Sequence, residues 1–393
     1  MRGPTDDDGT IELLRNGTEV LPAWLAAIES ARQEIVLEMY WFASDATGRR
    51  FAHALCERAR AGVQVLLIYD ALGSFGFDPD LLGEMVTAGI HVREFNPVAP
   101  WRARFRWAGV TVRDHRKVLV VDSAVGFTGG VNLCDQAASV EQGGGGWRDD
   151  GVRITGRAVH ELRTLFFDTW FRIGGVVPAL SPGLQPRDRR QLNAAARREV
   201  GQPSTPPPST RRAPAVQVLG HNTWTAQRTL RNLYARRIRS ARERVYIANA
   251  YFVPDNKVRR ALAHAARRGV DVRVIVPERS DVASVAWAGR ALFAALLRAG
   301  VHVHYWTEGM MHAKTAVIDR WATVGSYNLD YRSLRYNLEV NVASERPDFS
   351  AAVTDSFRSD LARCRAIDVR DWARRPWHHR MLEWLAFLVR KIL

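Results

Sequence analysis

Long apolar runs are missing from this 393-residue chain. No stretch of 18 apolar residues occurs, and the opening MRGPTDDDGT is acidic, without the apolar region of a secretion signal. Neither a membrane-spanning helix nor secretion by a signal peptide is expected. Cysteine is scarce too: Cys56, Cys134 and Cys364 are too few and too scattered for a disulfide framework or a zinc ligand set, which favours a reducing cytoplasm. Lysine is the third shortage, with four residues against 52 arginines. The 41 acidic residues still leave a formal net charge of +15, which suits a partner or substrate rich in phosphate, either nucleic acid or an anionic lipid surface. At roughly 150 residues per domain the length allows two or three domains, and 47% hydrophobic residues can fill their cores.

What is present is written twice. ARQEIVLEMYWF (31–42) parallels ARERVYIANAYF (241–252), ERARAGVQVLLIYD (57–70) parallels HAARRGVDVRVIVP (264–277), and AGIHV (88–92) parallels AGVHV (299–303). Within each copy, β-branched runs such as VQVLLIY and VRVIV alternate with helical patterns that close on Gly62 or Gly269, placed like helix C′ glycines. This is a βαβ rhythm with buried strands. Residues 176–214 are rich in Pro, Ser and Arg and read as an exposed linker. The expected organisation is a first domain over 1–175, the linker over 176–214, a second domain over 215–366 and an amphipathic carboxy-terminal segment over 367–393.

Each copy carries one chemical motif. His115, Lys117 and Asp122 form H-x-K-x4-D and lead to Gly129, Gly130 and Asn132; His312, Lys314 and Asp319 repeat it and lead to Gly325, Ser326 and Asn328. Both motif cations are Lys in a chain that otherwise uses Arg, which suits a point contact to a phosphoryl oxygen. His and Lys two apart on a strand share a face. Two imidazoles can divide nucleophilic attack on phosphorus and protonation of the leaving group, while Lys117, Lys314, Asn132 and Asn328 hold the phosphoryl oxygens without a metal or cofactor. Each imidazole needs a carboxylate on its other nitrogen. Glu339 and Asp149 are the candidates, and the sequence only weakly separates Asp149 from Asp150.

The duplicated motif resembles the phospholipase D superfamily over nearly the whole chain. HAKTAVIDRWATVGSYNLDYRSLRYNLEVNV, ANAYFVPD and GGVNL resemble bacterial cardiolipin synthases, and the lack of amino-terminal transmembrane helices is similar to their B subgroup. The carboxy-terminal tail is short for that subgroup. The resemblance implies an α/β fold of two tandem repeats, each a mostly parallel sheet flanked by helices, packed about a pseudo-twofold axis. It implies exchange through a phosphohistidine on one shared site, with His115 as nucleophile and His312 as general acid, and with Asp122 and Asp319 bracing the site. The expected reaction moves a phosphatidyl group between two phosphatidylglycerol molecules at the cytoplasmic face of the membrane. A phospholipase D-type phosphodiesterase, lipid hydrolase or nuclease, is the alternative, and nucleic acid is the less favoured partner.

Five secondary features remain. Met381, Trp384, Leu385, Leu388 and Ile392 fall on one face of a helix expected over 378–393 that docks on anionic bilayers, or else packs on the domain. Trp101, Trp107, Trp372, Trp377 and Trp384 sit among arginines, which suits a headgroup-level interface or stacking on bases. The insertion containing RARFRWAG before His115 reads as a lid, a lipid-facing ledge or an ordinary surface hairpin. Gly143 to Gly146 read as a flexible loop near the entrance rather than a phosphate cradle, and Gly129-Gly130 and Gly325-Ser326 as points of close backbone approach to phosphate.

Overall fold

The computed structural model describes residues 9–102, 104–176, 215–220 and 224–390; apart from Val176, the expected linker lies outside the described residues. The first repeat runs β1 (Ile11–Arg15), α1 (Asn16–Ser30), β2 (Glu34–Met39), α2 (Ala46–Arg60), β3 (Gln64–Asp70), α3 (Pro79–Thr87), β4 (His91–Phe95), β5 (Arg113–Asp114), β6 (Lys117–Val121), β7 (Val125–Gly129), β8 (Asp150–Thr155) and α4 (Arg157–Arg172). The second runs β9 (Val216–Gly220), α5 (Trp224–Ser240), β10 (Arg244–Asn249), α6 (Asn256–Arg267), β11 (Asp271–Pro277), α7 (Ala283–Arg298), β12 (His302–Trp306), β13 (Lys314–Ile318), β14 (Trp321–Gly325), α8 (Tyr331–Arg335), β15 (Asn337–Leu338), β16 (Val340–Ser344), α9 (Pro347–Leu361), β17 (Cys364–Ala366), α10 (Val369–Ala373) and α11 (Trp377–Leu388).

Local chemistry sets the ends of the matching helices in the same way. Asp45 caps α2 by accepting from Gly48 N at 2.9 Å, and Asp255 caps α6 by accepting from Lys257 N and Val258 N. Gly62 and Gly269 follow at φ of 89° and 87°, where a side chain would be strained, so both helices stop there.

The two sheets have one strand order. It is β1-β8-β7-β6-β2-β3-β4 in the first and β9-β16-β14-β13-β10-β11-β12 in the second, extended by β17. Within these two sheets parallel pairing is confined to β2-β3-β4 and β10-β11-β12; the other neighbours are antiparallel, so the tandem α/β repeats carry mixed sheets. The cause is connection length: helices join the parallel strands, whereas only Asp122 to Ala124 join β6 to β7, enough for a hairpin but not for a crossover.

One apolar core joins the repeats. Val118, Phe167 and Trp170 share it with Trp306, Val342 and Phe357, and α4 leans on β9 while α9 leans on β1. The rings of Tyr246 and Phe357 stack at 4.8 Å within the second repeat. Each repeat keeps a further core on its outer face, and Trp372, expected at an interface, is instead buried there against Phe293. Helix α11 packs on α7 through Ala386, with Glu383 also buried, yet it leaves Met381, Trp384, Leu385 and Leu388 exposed; Ile392 lies outside the described residues.

Candidate active site

Both motif histidines stand where β6 and β13 begin, and each is pinned by backbone from the other repeat. His115 N donates to Leu338 O at 3.0 Å, and His312 N donates to Arg148 O at 2.7 Å. Strand β15 runs parallel to β5, and Arg148 bridges Met311 in the matching way. The next residue along is therefore delivered across the repeat boundary. Glu339 accepts from His115 Nδ1 at 3.1 Å on both oxygens, and Asp149 accepts from His312 Nδ1 at 2.8 Å. Asp150 faces the other way, onto Arg148 and Thr315 Oγ1. Adjacent strand residues point to opposite faces, so only one of the two aspartates can serve the imidazole.

With each Nδ1 donating, each Nε2 carries the lone pair of a neutral ring or the second proton of an imidazolium. The ring centroids lie 6.4 Å apart, and both rings are buried with both motif lysines. Lys117 Nζ donates to His115 O at 2.7 Å, and Lys314 Nζ donates to His312 O. Burial pushes Lys117 down to about 7 and Lys314 down to about 8, with the Lys314 charge adding to the effect on Lys117. Burial and then the two ammonium groups hold His115 well below the usual imidazole value. His312 is also lowered by burial and Lys314, but the Asp149 hydrogen bond and charge pull it back up. Glu339 is pushed by burial up to about 7, against Lys117 and against Ser326 and Ser333, whose hydroxyls donate to its carboxylate.

The two orienting carboxylates have different supports. Ser326 donates to Glu339, whereas at the matching Gly130 a Cβ would stand 2.1 Å from Asp149 Oδ1. Gly129 and Gly325 are packed against β8 and β16 in the same way: a Cβ there would stand 2.4 Å from Asp150 O and 2.3 Å from Val340 O. These positions, expected to approach a phosphate, make room for neighbouring strands and carboxylates. Asn132 and Asn328 are buried, and their amide oxygens have no hydrogen-bond partner among the described residues. The amides of Gly144, Gly145 and Gly146 donate to Ser139 O, Asp135 O and Ala138 O, so that run is folded on itself.

Asp122 and Asp319 lie at the opposite ends of β6 and β13 from the histidines. Asp122 accepts from the backbone N–H groups of Arg32, Gln33 and Glu34 at 2.7–2.8 Å, and Asp319 from those of Arg242, Glu243 and Arg244. Seven residues of extended chain separate Asp122 from His115, roughly 23 Å at 3.3 Å per residue, so neither motif aspartate reaches the reacting group. Two buried networks brace the histidine segments: Arg116 on Glu38 and Asp114, and Arg148 on Asp150 and Asp360.

The sequence motifs did not single out the aromatic walls. Tyr40 meets His115 edge-on at 4.7 Å, Tyr251 lies 6.1 Å from His312, and Trp147 lies 5.5 Å from His312. The copies EMYWF and ANAYF gave only a partial signal for the tyrosines, because Tyr40 is third in one and Tyr251 fourth in the other, so the register sets Trp41 opposite Tyr251. Among the described residues no group of three or more His, Cys, Asp or Glu is arranged to hold a metal ion.

This geometry sets two imidazoles 6.4 Å apart beside two buried lysines, an arrangement able to attack and to hold a phosphoryl group. Known proteins place it. The profile of the family described as "Cardiolipin synthase, PLD-like domain" matches residues 24–154 and 234–361. The cardiolipin synthase of Geobacillus thermodenitrificans is 32% identical over 97% of this chain and 72% of its own length. Cardiolipin synthase 2 of Bacillus anthracis is 31% identical over 94% and 68%. The phosphatidylserine synthase of Haemophilus influenzae shares the fold at TM-score 0.69 and 14% identity, covering 98% of this chain and 95% of that one. The chain belongs to the phospholipase D-like family of bacterial cardiolipin synthases.

Proposed function

We propose that this enzyme transfers a phosphatidyl group from one phosphatidylglycerol to a hydroxyl of a second, releasing glycerol and forming cardiolipin. His115 Nε2 attacks phosphorus, the bond from phosphorus to the glycerol oxygen breaks, and His312 gives that oxygen its proton. The second phosphatidylglycerol then gives its hydroxyl proton to His312 as its oxygen attacks phosphorus, and the phosphorus–nitrogen bond breaks. One observation carries this reading: each imidazole is held through Nδ1 by a carboxylate of the other repeat, with two Nε2 atoms left for one substrate. The division of roles is the one the family resemblance implies, and the surroundings are consistent with it. Burial and the lysines hold both imidazoles below their usual value, favouring a neutral, nucleophilic His115, while the Asp149 hydrogen bond and charge favour the proton on His312. Lys117, Lys314, Asn132 and Asn328 hold the phosphoryl oxygens.

No helix among the described residues is long and apolar enough to cross a membrane. The enzyme acts as a peripheral protein on the cytoplasmic face, with residues 1–175 and 215–366 as its two domains, 176–214 as linker and 367–393 as its membrane-associating part. Purified protein is incubated separately with phosphatidylglycerol vesicles and with single-stranded DNA, and the products are identified by mass spectrometry. Cardiolipin and glycerol are expected. Phosphatidic acid alone would make it a lipid hydrolase, and released nucleotides without cardiolipin would make it a nuclease.

A further inference from the structure

Tyr40 and Tyr251, the tyrosines beside the two histidines, are each backed by an element that holds apolar side chains in water. Behind Tyr40 is the loop following β3, where Ser74 Oγ donates to Tyr40 O at 3.1 Å and Phe75 is 80% exposed. Behind Tyr251 is α11, whose Phe387 and Ala386 pack with Tyr251, Val253 and Val285; Trp384 on its far side is 56% exposed. Arg390 then lies over the Tyr331 ring at 5.5 Å, tying the end of α11 to the segment that carries Glu339.

The exposure continues around the entrance. The loop after β4 leaves the sheet at the strand end where His115 sits, and it carries Trp101 at 85% and Trp107 at 78% exposure. Isolated surface apolar groups need no explanation, but tryptophans beside arginines on both flanks of one entrance do. Arg106 and Arg380 flank these groups and have no carboxylate partner among the described residues, which suits anionic headgroups.

We propose that the site entrance itself is the membrane-docking surface: the loops around Phe75, Trp101 and Trp107 on the first repeat and the outer face of α11 on the second insert together into one anionic leaflet. This rests on the lipid reading above and adds an orientation to it. Both histidines then open toward the headgroup layer, and a lipid reaches them without leaving the interface. Helix α11, about 18 Å long at 1.5 Å per residue, lies along the surface.

Two sets of substitutions test it, one of Phe75→Ser, Trp101→Ser and Trp107→Ser, the other of Trp384→Ser, Leu385→Ser and Leu388→Ser. Each is measured for flotation with mixed phosphatidylglycerol and phosphatidylcholine vesicles, and for turnover of a short-chain phosphatidylglycerol kept monomeric in solution. Each set should lower vesicle binding and vesicle turnover about tenfold and leave monomeric turnover within about twofold. Single Trp101→Ser and Trp384→Ser variants, both at the surface, give the same readout should a set lose its thermal transition. First-repeat variants that float like wild type would overturn the proposal, as would an equal loss on monomeric substrate. If wild type binds vesicles through both flanks but converts phosphatidylglycerol in neither form, the docking surface stands and the assigned reaction fails.

Discussion

Glu339 and Asp149 do the same job from different chain lengths and neighbours, and their substitution separates the two halves of the reaction. Glu339→Gln removes the carboxylate that fixes the His115 tautomer, and kcat should fall on the order of 10³–10⁴-fold. Asp149→Asn acts on His312 instead. A substrate with a good leaving group should therefore partly rescue Asp149→Asn and His312→Ala, and should not rescue Glu339→Gln or His115→Ala. Rescue of the His115 and Glu339 pair alone would reverse the roles. The pH profile follows from the same contacts. His312 must carry a proton, and Asp149 raises its affinity for one, so Asp149→Asn should move the alkaline limb of kcat/KM to lower pH. Lys117 and Lys314 lose charge as pH rises through about 7 and about 8, so inhibition by inorganic phosphate should weaken across that window. Residue types and spacing made both motifs legible in the sequence. The crossing of the carboxylates was not legible, because Glu339 is near His312 in the chain and reaches His115 only through the pairing of β15 with β5.

Strands β6 and β13 separate two functions that the H-x-K-x4-D spacing merges: chemistry at the His end and turn closure at the Asp end. Asp122 and Asp319 both take positive φ, near 50°, and cap the chain entering β2 and β10. Asp122→Ala leaves three backbone N–H groups without that acceptor and strains the left-handed turn, which should cost about 1–3 kcal/mol in a urea titration. Asp122→Asn retains the turn and should keep near-normal kcat at low temperature. Activity lost with the urea midpoint unchanged would return Asp122 to the chemistry. Helix boundaries were legible where a capping Asp and a C′ Gly bracket an apolar stripe, as in α2 and α6. Trp372 was misread because Arg neighbours in sequence do not report which side of α10 faces Phe293. Helix α11 packs on α7 by one face, the second of the two expectations for the carboxy terminus, while its other face stays in water.

Two copies of one strand order, closed over a shared core, give a site that neither repeat contains alone. The duplication was readable because the copies keep their spacing, and the +15 charge pointed to phosphate. The mixed character of the sheets was not readable, since strand direction depends on connections rather than on the strands themselves. In the proposed reaction charge neutralisation falls to Lys117, Lys314 and the Asn132 and Asn328 amides, so EDTA should leave turnover unchanged in vesicles whose aggregation is unaltered; activity lost with chelator and restored by magnesium would oppose this. The division of labour between the repeats is tested most directly by trapping the intermediate. His312→Ala protein is mixed with a phosphatidylglycerol analogue bearing a good leaving group, quenched rapidly and digested, and its peptides are read by mass spectrometry. A phosphatidyl adduct on the peptide containing His115 is the predicted result. An adduct on any other residue, or turnover of the analogue with no adduct at any quench time, would contradict the account.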